Sequence, residues 1–277
     1  MSQTAFRLPD LASLRVTGED ARSFLQNQLS ADLGLVAGTQ GQLAGWHDPK
    51  GRVLAFLRVL PAPDGFLLVM HAGLLEAVTR RLRMFVLRAK VALEAGPPVY
   101  GVSAAALPGL LPPDANLPAD PPAGRDEDTA AQARPAVVTA HCSALRLPGG
   151  WLLAGELEPA QVRDDPAAVA AWERAELEAG LPEVYPETSG EFVAQMINLD
   201  RIGAVSFTKG CYPGQEIVAR AHHLGRIKRR AQVFRLDGPP PAPGTKLEQP
   251  DGTVVRSVAA DGGSVALVVV TTGSDAT

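Results

Sequence analysis

The chain carries only two cysteines in 277 residues, Cys142 and Cys211, far apart and outside any CxxC pair. That spacing argues against a disulfide framework and against a zinc site. No apolar run approaches the roughly 20 residues needed to cross a bilayer. Met1 to Asp10 has no cationic stretch ahead of an apolar core, so no secretory signal is expected and the cytoplasm is the expected location. A serine triad and a phosphate-binding loop are also missing. The formal charge of -4 argues against a surface that is basic all over, as a general nucleic-acid binder would have.

What is present is ordinary globular material, 46% hydrophobic and 20% charged, in a chain long enough for two or three domains. Leu11 to Val16 predicts a strand, and Thr17 with Asp20 predicts the N-cap of a helix carrying Ala21, Phe24, Leu25 and Leu29 on one face. Leu43 to Trp46 and Val53 to Leu60 predict a hairpin through His47-Asp48-Pro49-Lys50-Gly51. Phe66 to Met70 predicts a strand. Leu74, Leu75, Val78 and Leu82 follow at helical spacing, and Phe85 to Leu93 reads as extended. Residues 96 to 135 are rich in Pro, Ala and Gly, with an Arg125-Asp126-Glu127-Asp128 charge cluster near their end, and predict a long irregular excursion. Ala136 to Leu147 and Trp151 to Glu156 predict another hairpin. Asp165-Pro166 starts a helix that Gly180 stops, and the end of the chain, with Val265 to Val270, is β-rich. The class is α+β.

Chemistry concentrates in Lys209-Gly210-Cys211-Tyr212-Pro213-Gly214-Gln215-Glu216. One of the two cysteines stands there between two glycines and near a lysine. Behind it, Arg220, Arg226, Lys228, Arg229 and Arg230 with His222 and His223 form a run without an acid. A basic patch of this kind attracts anions and favours a nearby thiolate. Plainer readings stand beside these: the glycines permit a tight turn, Gln215 and Glu216 cap the apolar segment that follows, and Cys211 packs as a small hydrophobe. The patch has three uses open to it: holding an anionic ligand tail, touching tRNA or an acidic client, or facing solvent.

The octapeptide, with Glu187-Thr188-Ser189-Gly190-Glu191-Phe192, Asn198-Leu199-Asp200, Val205-Ser206-Phe207 and the opening Val16-Thr17-Gly18-Glu19-Asp20-Ala21, resembles the YgfZ family of folate-binding proteins. Asp48-Pro49-Lys50-Gly51-Arg52 is similar to that family's first hairpin. The resemblance implies a fold like the glycine-cleavage T-protein: two intertwined α+β lobes, over residues 1–95 and 96–227, and a small C-terminal β-barrel over residues 228–277. It also implies a tetrahydrofolate or derivative as cofactor, and a role in assembling or repairing iron–sulfur clusters in client enzymes, including those that thiomethylate tRNA. The implied partners are folate, iron–sulfur client or assembly proteins and tRNA.

On this resemblance Cys211 is the functional thiol with Lys209 beside it, and Gly210, Tyr212, Gly214, Gln215 and Glu216 complete the motif. A lone thiolate does not hold a cluster that needs about four ligands, so Cys211 would ligate one only transiently and no stable metal site is expected. Trp172 and Glu178 match family positions associated with the folate, the carboxylate meeting the pterin's 2-amino and N3 hydrogens and the indole offering a stacking face. Their spacing sets them about 120° apart around a helix, awkward for one narrow pocket. Leu11 replaces a second family tryptophan. Where the T-protein has an aspartate pair, one member of which is needed for aminomethyl transfer, this sequence has Ala55 and Phe56, so that activity is not expected. A folate-dependent one-carbon transferase or demethylase, and a tRNA-contacting module, are the alternatives.

Overall fold

The computed structural model describes residues 4–118, 133–223 and 227–272. In chain order the elements are β1 (Ala5–Arg7), β2 (Leu11–Thr17), α1 (Ala21–Gln26), β3 (Gln40–His47), β4 (Val53–Ala62), β5 (Gly65–His71), α2 (Leu75–Val86), β6 (Ala92–Ala95) and β7 (Val99–Val102). Beyond them come β8 (Ala133–Val138), β9 (Cys142–Leu147), β10 (Gly150–Gly155), β11 (Val162–Arg163), α3 (Pro166–Glu178) and α4 (Gln215–His223), then β12 (Arg229–Leu236), β13 (Lys246–Glu248), β14 (Asp251–Ala260) and β15 (Gly263–Thr271).

Two sheets organise these strands. An 11-stranded sheet runs β11-β1-β7-β10-β9-β8-β3-β4-β5-β2-β6, and a four-stranded antiparallel sheet runs β12-β15-β14-β13 where the small C-terminal barrel was expected. The larger sheet interlocks the two halves of the chain. Its two parts join where Gln40 and Gly41 of β3 pair with Pro135 and Arg134 of β8. The first strand, β1, lies with β7 and β11 rather than with its sequence neighbour β2. Mixed helix and sheet in this arrangement is an α+β fold.

Local chemistry accounts for most elements. The β3–β4 hairpin turns through Gly51 at φ 74°, a conformation that favours glycine, with the Asp48 carboxylate accepting from the Lys50 and Arg52 amides. In α3, Asp165 accepts from the Ala168 amide as N-cap, and Gly180 ends the helix at φ 76°. Three expectations need correction. Thr17 does not cap α1: Asp20 holds the cap position without a side-chain cap bond, its carboxylate instead accepting from the Lys90 amide. The extended reading of Phe85 to Leu93 fails over its first part because Val78 and Leu82 continue a buried helical stripe into Val86, and only Ala92–Ala95 forms a strand. Part of the supposed excursion is core: β7 lies within it and is buried throughout, because alternate residues face two packed layers. The Arg125 to Asp128 charge cluster lies outside the described residues.

Candidate functional site

Helix α3 lays Trp172 and Glu176 one turn apart on its inner face, both buried at 2% exposure. They face a narrow, partly open pocket of about 40 Å³. Its other walls are Leu8 to Leu11 at the entry to β2, His71 closing β5, Glu173, the Glu183 and Tyr185 segment after α3, and Arg256 from β14. Both sheets and α3 contribute. Glu178 does not line it. Two residues beyond Glu176 is about 200° around a helix, which leaves Glu178 exposed.

Beneath the pocket lies a buried ion cluster. Arg58, fully buried on β4, donates from Nη1 to Glu183 Oε2 at 2.8 Å and from Nη2 to Glu176 Oε2 at 3.1 Å. Arg256 Nη1 stands 3.5 Å from the same Glu176 oxygen. Burial opposes the charge on Arg58, yet Glu183 and Glu176 more than offset it and hold its pKa above the ordinary value. Burial also raises the Glu173 carboxyl and pushes the Tyr185 phenol up to about 12. Around the cluster, Trp172 Nε1, Glu176 Oε1 and Arg256 Nε are buried with no hydrogen-bond partner. Such orphans cost about 1–3 kcal/mol each, and a ligand edge offering both donors and acceptors would satisfy them.

The cysteine motif docks against the β3–β4 hairpin, far from it in sequence. Gly214, at φ 80°, sits so close that a Cβ there would meet Asp48 O at 2.5 Å and Gly51 Cα at 2.7 Å. Gly210 has no such neighbour and no positive φ. Tyr212 is buried, its ring 5.8 Å from that of His47 and 5.4 Å from Lys209 Nζ. Burial pulls His47 down to about 4, with the Gly51 carbonyl and Asp48 pulling the other way. Cys211 itself is exposed and free, so packing does not explain it. Gln215 and Glu216 open α4, where Gln195 Nε2 donates to the Val218 carbonyl at 2.7 Å.

Lys209 takes a different role from the one expected of it. Its Nζ donates to the carbonyls of Gln26, Leu29 and Ala31 at 2.5, 2.6 and 2.9 Å. An ammonium has three donors, so all are committed to the backbone after α1 and none is left for the thiol. Burial pulls it down to about 8, against the nearby Asp32. Lys209 is an anchor that fixes the motif, not a partner of Cys211.

The chain is 34% identical to the tRNA-modifying protein YgfZ of Edwardsiella ictaluri, over 85% of this chain and 71% of that protein. The chain belongs to the YgfZ family. YgfZ of Klebsiella pneumoniae is 31% identical over 96% of this chain and 84% of its own. No family model matches. Among solved structures, the glycine cleavage system aminomethyltransferase T of Bartonella henselae superposes with a TM-score of 0.68 over 97% of this chain and 78% of that one, at 17% identity, which establishes the fold alone.

The basic patch of this YgfZ relative is less free than its sequence suggests. Arg230 makes a two-pronged pair with Asp200 at 3.0 and 2.7 Å and also donates to the Gln195 carbonyl. Arg229 reaches Thr253 and the Val269 carbonyl, and Arg220 pairs with Glu216 at the surface. Lys228 is exposed, and Arg226 lies outside the described residues. His222 stacks on Phe207 at 3.8 Å between ring centroids. Among the described residues no group of His, Cys, Asp and Glu could hold a metal ion, and no helix is long and apolar enough to cross a membrane.

Sequence reasoning missed Glu176, Glu183, Tyr185, Arg58 and Arg256. One of them was within reach: four residues from Trp172 keeps a side chain on the same helical face, whereas six does not. The others arrive from separate strands and loops and carry no local signal.

Proposed function

We propose that this protein is a tetrahydrofolate-binding accessory to iron–sulfur enzymes, among them enzymes that modify tRNA, and that it acts through Cys211. The observation that carries the reading is the unpartnered set in the central pocket: Trp172 Nε1, Glu176 Oε1 and Arg256 Nε, all buried. A pterin edge presents a 2-amino group and N3–H as donors beside a carbonyl acceptor, and this set offers the matching acceptor and donors. In donors and acceptors the residues fit the group, and the ring would enter by widening a pocket of about 40 Å³. Glu176 would hold the donor edge, Trp172 and Arg256 would donate to the carbonyl, and Leu11 and Tyr185 would flank the ring. When bound, tetrahydrofolate supplies one-carbon carriage.

The relatives named above are tRNA-modifying proteins, and the fold is that of an aminomethyltransferase. Ala55 and Phe56 are both fully buried in β4, which supports a role without the T-protein's aminomethyl transfer. Cys211 is an exposed thiol on a loop pinned by Lys209 and Gly214. A single thiolate supplies one of the roughly four ligands of an iron–sulfur centre, so its cluster is the cargo of a client and Cys211 an exchange ligand or nucleophile.

Calorimetric titration with tetrahydrofolate and its formyl and methylene forms, run beside an assay for formaldehyde release, tests the reading. Saturable binding without release is expected. No binding by any form would remove the cofactor, and formaldehyde release faster than that of methylene-tetrahydrofolate without protein would make the protein an enzyme rather than a binder.

A further inference from the structure

A second basic surface lies away from the cysteine motif. From Ala77 to Leu93 there is no acid, while Arg80, Arg81, Arg83, Arg88 and Lys90 supply five cations in a chain of net charge -4. All five are exposed. Set among them, Met84, Phe85 and Leu87 are 70%, 43% and 87% exposed. The three are large apolar side chains in water beside a row of cations, at the end of a helix whose other face, Val78 and Leu82, is core.

Part of the charge is already engaged: Arg83 donates to the Leu93 carbonyl at 3.1 Å, Arg81 stands 5.7 Å over the Trp46 ring, and Lys90 pairs with Glu19. The side chains of Arg80 and Arg88 have no ion pair or hydrogen bond among the described residues. Leu87, which follows α2, holds φ 46° and ψ -103°, a conformation unfavourable for any residue with a Cβ. Strain of this kind, kept at an exposed leucine rather than relieved by glycine, points to use.

We propose that this end of α2 is an RNA-docking surface, whose arginines grip phosphates while an unpaired base stacks on Phe85. Charge complementarity selects a polyanion. Four of the five cations are arginine, whose planar fork pairs with phosphate oxygens through two bonds at once. An exposed aromatic among such cations is how single-stranded bases are held. A membrane surface would call for a longer apolar face than three residues at a helix end. The inference rests on the tRNA half of the function proposed above and is independent of the folate pocket.

Fluorescence anisotropy with a labelled tRNA transcript and a labelled unstructured RNA, across salt from about 50 to about 200 mM, tests it. The doubly substituted Arg80→Gln/Arg88→Gln should flatten the log-log salt slope by about 1 to 2, two phosphate contacts being lost. Phe85→Ala should weaken the unstructured RNA by about 5- to 150-fold with the slope unchanged. Both variants alter exposed side chains, and circular dichroism with the tetrahydrofolate titration should match wild type. Several results would overturn the proposal: no RNA binding at low salt, losses confined to Arg220→Gln/Lys228→Gln, or binding to phosphatidylserine vesicles that RNA does not displace. A protein that binds RNA here but no folate would sink the folate reading and leave this surface standing. One that binds folate but no RNA would do the reverse.

Discussion

Glu176→Gln and Glu178→Gln, made separately, should differ sharply although the residues are two apart. Glu176 Oε2 receives Arg58 at 3.1 Å and lies 3.5 Å from Arg256 in a fully desolvated cluster. Breaking a buried pair usually costs about 3–5 kcal/mol, because the orphaned charge stays buried. Here Arg58 keeps Glu183 at 2.8 Å, and the amide keeps one acceptor oxygen, so a loss of about 2–3 kcal/mol is expected. For the ligand, a charge-assisted contact becomes a mismatched amide. That should weaken tetrahydrofolate by about 1–3 kcal/mol, roughly 5- to 150-fold in Kd. Glu178 is exposed, so its substitution should move both quantities by less than about 0.5 kcal/mol. Urea denaturation gives the stabilities, and calorimetry below the unfolding transition gives the affinities. If Glu178→Gln weakens binding as much as Glu176→Gln, the pocket is not where the carboxylate meets the pterin.

Cys211→Ser should leave the melting temperature and folate affinity unchanged, since the thiol is exposed, while a dependent iron–sulfur enzyme fails to recover in cells carrying only that variant; full recovery would remove the thiol from the mechanism. Gly214→Ala should destabilise the fold by about 2–4 kcal/mol, combining a left-handed φ with backbone contact at 2.5 Å, and a wild-type unfolding midpoint would show that the hairpin yields instead. His47 is held neutral by burial at about 4 against a usual 6.5. The unfolded chain therefore binds a proton that the folded one refuses between those values, and stability should fall on the order of 3 kcal/mol as pH drops from 6.5 towards 4. Denaturation curves of wild type and His47→Gln at both ends of that range check this, the variant losing the His47 share of the drop.

Local structure was legible in the chain alone. The hairpin at Asp48 to Gly51, the Asp165 cap and Gly180 stop of α3, and the valine-rich β15 follow from turn chemistry and periodicity that act over a few residues. The octapeptide was legible as a site because its residue types have few other reasons to stand together. Tertiary structure decided the rest. Only packing could commit Lys209 to three carbonyls more than 170 positions away and bring Arg58 and Arg256 from separate sheets to one carboxylate. Such pairings carry no sequence period. They are fixed by which faces of distant strands and helices are buried together, and burial decides whether a charge is a surface ornament or the floor of a pocket.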